Sequence, residues 1–88
     1  MHPSRLVRNL RFYFITDHPA PGRSALDQVR AALQGGAGIV QYRRKNFTLT
    51  AFEELRHIRD LCRSNGVPLV VNDDVLLAKA VDADGVHL

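Results

Sequence analysis

Four short apolar runs recur along the chain, each separated from the next by a segment of helical character. The runs are Arg11–Asp17, Gly38–Lys45, Pro68–Asp73 and Asp84–Leu88. Strand-like runs alternating with helix-length connections constrain the topology strongly. Antiparallel neighbours can be joined by a tight turn, whereas parallel ones need a crossover, usually a helix. The pattern therefore reads as βαβαβαβ, a parallel sheet with right-handed crossovers.

Each helical segment carries its own punctuation. Ser24 offers an N-cap, and Leu26, Val29, Arg30 and Leu33 fall on one helical face before Gly35-Gly36 stops the helix. Thr50 and Glu53 have capping-box spacing. Phe52, Leu55, Ile58 and Cys62 follow as an apolar stripe, which ends near Ser64-Asn65-Gly66 with Pro68 just beyond. Asp74 can cap a short helix from Val75 to about Val81. The first run, closed by polar residues and by Pro19, Pro21 and Gly22, reads as a buried strand. Residues 1–10, basic at Arg5 and Arg8, read as a mobile lead-in. A weak echo links Gly35–Gln41 to Val81–His87, since both are small helix-ending segments that open into an apolar strand. Repeated βα units favour a (β/α)8 barrel over a doubly wound sheet. A whole barrel takes about 250 residues, so residues 1–88 are expected to supply about half of a barrel domain.

Composition narrows the class. With 45% hydrophobic and 24% charged residues, the chain is neither disordered nor collagen-like. No run approaches the roughly 20 apolar residues that span a bilayer, and no apolar h-region follows the N-terminus. The lone Cys62 cannot form an internal disulfide, which fits a cytoplasmic protein. The net charge of +3 is mild. Scattered surface arginines account for it and call for no nucleic acid, while phosphorylated small molecules remain suitable partners.

The second run holds the most informative residues. Gln41, Arg43 and Lys45 alternate along a strand and share one face at its C-terminal end, where parallel α/β folds build ligand sites. Two cations and an amide there suit a phosphate or diphosphate. The same spacing fits charges hydrated at a frayed strand end. The third run ends Asn72-Asp73-Asp74. A carboxylate at that position suits Mg²⁺, which is commonly held by one or two carboxylates plus substrate phosphates. An Asx turn leading to a cap is the alternative, and Asp74 fits the cap. Tyr13 shares a strand face with Ile15 and Asp17, so it either touches a ligand near the mouth or packs in the core. His87 reads as a core residue of the last strand, His2, His18 and His57 as terminus, loop and helix surface, and Cys62 as buried and inert. No Ser-His-Asp order, phosphate-binding glycine loop or zinc spacing is visible.

Four segments, Tyr13–Asp17, Gly35–Asn46, Gly66–Asp73 and Ala83–Leu88, resemble in order the first half of the thiamine-phosphate synthase family. The resemblance implies a (β/α)8 barrel and a transferase of thiamine biosynthesis. Such an enzyme joins hydroxymethylpyrimidine diphosphate to a thiazole phosphate, giving thiamine phosphate and pyrophosphate. It implies that Gln41, Arg43, Lys45 and Asn72 hold the pyrimidine diphosphate, with Arg43 and Lys45 as electrostatic catalysts. It implies further that Asp73 is a Mg²⁺ ligand and that Tyr13 lies at the substrate. Tyr42 and Arg44 depart from the family's Leu and Glu but alternate to the other face, and Asp74 and Leu76 depart from its usual Arg and acid. The family's Gly-Gln-x-Asp segment, with a second metal carboxylate, would follow Leu88, so the expectation is a fragment, inactive alone and prone to self-association through open strand edges. The alternatives are a thiazole tautomerase of the same barrel family, which has no diphosphate to ionise, and a non-catalytic half-barrel that binds or assembles.

Overall fold

A computed structural model describes residues 12–16, 22–45 and 48–88. The elements alternate in chain order as β1 (Tyr13–Ile15), α1 (Ala25–Gln34), β2 (Ile39–Tyr42), α2 (Leu49–Ser64), β3 (Leu69–Asn72), α3 (Val75–Ala80) and β4 (Gly85–His87). The strands form one parallel sheet in the order β1-β2-β3-β4, so sequence neighbours are spatial neighbours and β1 and β4 are the edges. That order is the one expected of consecutive βα units, since a doubly wound sheet would reverse direction at a switch point.

All three helices cover the same face of the sheet. Val40, Tyr42, Leu69 and Val71 point into that layer and meet Ala25 and Val29 of α1, Leu55, Ile58 and Cys62 of α2, and Ala78 of α3. The period-two alternation along β2 and β3 puts these residues on one side, and the helical period brings the α2 stripe onto them. Glu54 adds a tie between helices by accepting from the Leu26 backbone N–H at 3.4 Å. Among the described residues, no helix is long and apolar enough to cross a membrane.

Local chemistry explains most boundaries. The Ser24 hydroxyl accepts from the Asp27 N–H at 3.1 Å and starts α1. The Asp74 carboxylate accepts from the Leu77 N–H at 2.9 Å and starts α3. The helix α2 stops at Asn65, and Gly66 follows at φ 67, the left-handed value that lets the chain turn toward β3.

Several expectations need correction. The cap of α2 is Thr48, not Thr50. Thr48 has extended backbone and its hydroxyl accepts from the Ala51 N–H at 3.1 Å, so Thr50 lies inside the helix and forms no capping box with Glu53. Arg30 does not join the buried face of α1. Ala25, Gln28, Val29 and Ala32 fill it, while Arg30 is exposed beside Asp27. The first strand is not buried, because it is an edge with no helix over its outer face, leaving Tyr13 46% and Ile15 44% exposed. His87 is exposed on the same open face rather than packed in the core. The lead-in 1–10, Arg11, Asp17, His2 and His18 lie outside the described residues.

Candidate functional site

The open face of the sheet carries a row of polar side chains. Ile15 pairs in register with Gln41, Gln41 with Val70, and Asn72 with His87. Gln41 sits in the middle of this row at only 3% exposure. Its amide is occupied on both sides. Nε2 donates to the Tyr13 hydroxyl at 2.6 Å, and Oε1 accepts from Asn72 Nδ2 at 2.8 Å. A buried amide satisfied at both ends avoids the penalty of an unpaired polar group.

Beyond the last ladder pair, the chain ends of β2 and β3 open into a cleft of about 340 Å³. Tyr42, Arg43, Arg44 and Lys45 line it from the β2 end, Val71, Asn72, Asp73 and Asp74 from the β3 end, and Leu77 from α3, so the cleft borders the helix-covered side of the sheet's rim. The guanidinium-bearing strand and the carboxylate-bearing strand thus finish at one rim, on the C-terminal side of a parallel sheet. Arg43, Lys45 and Asp73 are exposed there and Asn72 is half-buried. Asp74 is drawn into capping α3, which leaves Asp73 as the carboxylate free to meet a ligand. Among the described residues, no cluster of three His, Cys, Asp or Glu side chains could by itself hold a metal.

Two backbone braces shape this rim. Thr16, buried at the end of β1, accepts from the Arg43 N–H through its hydroxyl at 2.9 Å, and its own N–H donates to the Gln41 carbonyl at 2.9 Å. It fixes the course of β2 where the cations begin. Thr16 was not among the residues expected at the site, although a polar residue closing an apolar run is a signal of this kind. Opposite, the Asp73 N–H donates to the His87 carbonyl at 2.6 Å and holds Asp73 at φ 60. A non-glycine residue in the left-handed region is uncommon, and Asp is among the residues that tolerate it best. This turn aims the chain away from the ladder and delivers the carboxylate to the rim.

The remaining candidates serve the fold. Tyr42 lies among the core residues, where burial pushes its phenol above the ordinary value. The Arg44 charge and hydrogen bond partly oppose that rise, and the Glu54 charge adds to it slightly. Burial pushes the Cys62 thiol up to about 11, with the Asp84 charge adding to the effect, so the sulfur stays protonated and inert at neutral pH. His57 is on the exposed surface of α2. Of the residues singled out by sequence, the rim brings together Arg43, Lys45, Asn72 and Asp73. Gln41 and Tyr13 stand one layer below and do not line the cleft.

The family model for thiamine monophosphate synthase matches residues 12–88. The chain belongs to this family. It is 51% identical over 80 residues to the thiamine-phosphate synthase of Chloroflexus aurantiacus, covering 89% of this chain and 37% of that protein. It is 45% identical over 87 residues to that of Geobacillus thermodenitrificans, covering 94% and 39%. The solved thiamine phosphate pyrophosphorylase of Pyrococcus furiosus superimposes with a TM-score of 0.78 at 39% identity, over 94% of this chain and 41% of that one. The four parallel strands and three intervening helices of this thiamine monophosphate synthase family member are therefore part of a TIM-barrel-like fold. The chain spans about two fifths of the length of these relatives.

Proposed function

We propose that this chain forms the pyrimidine-diphosphate part of a thiamine-phosphate synthase site in thiamine biosynthesis. The observation that carries the reading is that Arg43, Lys45, Asn72 and Asp73 all line one cleft at the C-terminal rim, together with Tyr42, Val71 and Leu77. Such a rim answers a ligand with an anionic end and a polar heteroaromatic ring. The Arg43 guanidinium can take two phosphate oxygens at once, and the Lys45 ammonium acts as a mobile point charge. Asn72 offers an amide to the ring.

Mg²⁺ suits the donor set, because it is commonly bound by one or two carboxylates together with substrate phosphates and retains several waters. Asp73 would hold it. When bound, the ion supplies positive charge to the diphosphate oxygens. The reaction breaks the carbon–oxygen bond between the pyrimidine methylene and the diphosphate, and the thiazole nitrogen forms the new carbon–nitrogen bond. Negative charge grows on the departing pyrophosphate. Arg43 and Lys45 can meet that charge as it grows, and an interaction stronger in the transition state than in the ground state lowers the barrier. The thiazole nitrogen attacks through its lone pair, so the chain's own residues need not supply a general base.

Calorimetric titration of the 88-residue chain with hydroxymethylpyrimidine diphosphate and Mg²⁺ tests the reading. Arg43→Ala and Lys45→Ala should each weaken binding by about 10- to 100-fold, the range of one or two charge-assisted hydrogen bonds. Asp73→Ala should abolish the dependence of affinity on Mg²⁺. Wild-type affinity in all three variants would remove these residues from the site.

A further inference from the structure

We infer that Thr16 is a positioning residue for anion binding, acting through the backbone of Arg43. The inference rests on the functional reading above for what Arg43 binds. β1 ends at Ile15 and β2 at Tyr42, so Thr16 and Arg43 each stand one residue beyond their strands. Thr16 is nevertheless only 2% exposed. Its N–H donates to the Gln41 carbonyl at 2.9 Å, which is the last regular rung between the two strands. Continued in register, a parallel ladder would run its next rung from the Arg43 N–H to the Thr16 carbonyl. The Thr16 hydroxyl takes that donor at 2.9 Å and returns its own proton to the Arg43 carbonyl at 3.4 Å. One hydroxyl thus engages both backbone polar groups of Arg43. Thr16 is not among the residues lining the cleft, whereas Arg43 is, so any influence on a ligand passes through Arg43.

Arg43 is exposed, and its long side chain starts from the first position after β2. Binding a phosphate costs whatever freedom the stem and its backbone still have, so a stem that starts from a held Cα has less to lose. Without the hydroxyl, the Arg43 N–H turns to water and the end of β2 frays. The opposite wall of the cleft has a brace of its own, from the Asp73 N–H to the His87 carbonyl, so loosening β2 leaves Asp73 in place. The chemistry also restricts which residue can serve at position 16. Ser supplies the same γ-oxygen, both donor and acceptor. Val matches the shape of Thr but has no polar group to offer.

Titration of the 88-residue chain with inorganic pyrophosphate and Mg²⁺, paired with amide hydrogen exchange by NMR, tests the inference. Thr16→Val should weaken pyrophosphate about 3- to 10-fold, the worth of one hydrogen bond. It should also speed exchange of the Arg43 backbone amide several-fold. Thr16→Ser should keep both quantities near those of the unaltered chain. Double variants supply the readout that a merely structural role would not move. In an Arg43→Ala background, Thr16→Val should cost about twofold or less, because the guanidinium it positions is gone. In an Asp73→Ala background its full effect should persist. Equal losses in the two backgrounds overturn the proposal, as does a Thr16→Ser loss as large as that of Thr16→Val. Thr16→Ala stands in if Thr16→Val does not fold. An unaltered chain that binds no pyrophosphate sinks the functional reading instead, and the exchange rates still decide whether the hydroxyl holds Arg43.

Discussion

The two faces of the sheet are made from the same strands and behave as different materials. On the helix side, Val40, Tyr42, Leu69 and Val71 close against Val29, Leu55, Ile58 and Cys62 with almost no surface left to solvent. On the other side, Tyr13 and Ile15 stand half in solvent while Gln41 and Asn72 trade hydrogen bonds. One step along a strand moves a residue from one regime to the other. The comparison teaches that stability and recognition are segregated here by strand parity. Substitutions on the closed face should register in unfolding, and those on the open face in binding.

The sharpest way to break this division is a matched pair of truncations. Leu55→Ala removes a fully buried side chain and should lower unfolding free energy by about 2–5 kcal/mol. Ile15→Ala, at 44% exposure, should cost about 1 kcal/mol or less. Urea unfolding followed by circular dichroism measures both. A loss at Ile15 comparable to that at Leu55 would mean that the open face is covered in solution, and the contrast between the faces would fail.

The closed face was also the legible one. Hydrophobic periodicity is a local signal, so the four strands, the three helices and the α2 stripe through Leu55, Ile58 and Cys62 could be read directly. The family resemblance then supplied roles for Arg43, Lys45, Asn72 and Asp73. What the sequence concealed was set by register. Nothing local says that Ile15 lies beside Gln41, and therefore that the Tyr13 hydroxyl meets an amide 28 residues away. An apolar run such as Phe12–Ile15 signals a strand but not which of its faces goes uncovered, so burial was overestimated for the edge strand and for His87. Arg30 illustrates a different limit. Its spacing from Leu26 and Leu33 puts it on their stripe, yet the face actually buried is centred on the small residues Ala25 and Ala32.

The misplaced cap of α2 gives a finer test, because Thr48 and Thr50 are chemically identical and two positions apart. Helix propensity gives little reason to choose between them, whereas the hydrogen bond does. Thr48→Ala should cost about 1 kcal/mol by freeing the Ala51 N–H. Thr50→Ala, at an exposed position inside the first turn, should change stability by about 0.5 kcal/mol or less. The same unfolding assay ranks them, and equal losses would restore the capping-box reading with Glu53.

The smallest stability effect is expected where the strand leaves the ladder, and there the sign reverses. Asp73 is held at φ 60, a conformation that costs an L-residue roughly 1–2 kcal/mol and Asp somewhat less. Asp73→Gly removes that strain but adds freedom to the unfolded chain, two terms that largely offset. The expected net change is about 0.5 kcal/mol or less, toward greater stability. Asp73→Ala keeps a Cβ, loses the local polar group that eases the turn, and should be less stable than the glycine variant. Both variants lack the carboxylate, so both should lose the Mg²⁺ dependence of diphosphate binding to the same degree. If glycine and alanine differed in binding as they do in stability, the role of Asp73 at the rim would be the turn itself. Equal binding losses with opposite stability changes would identify the carboxylate as the functional group, carried on a backbone conformation that does nothing to hold the fold together.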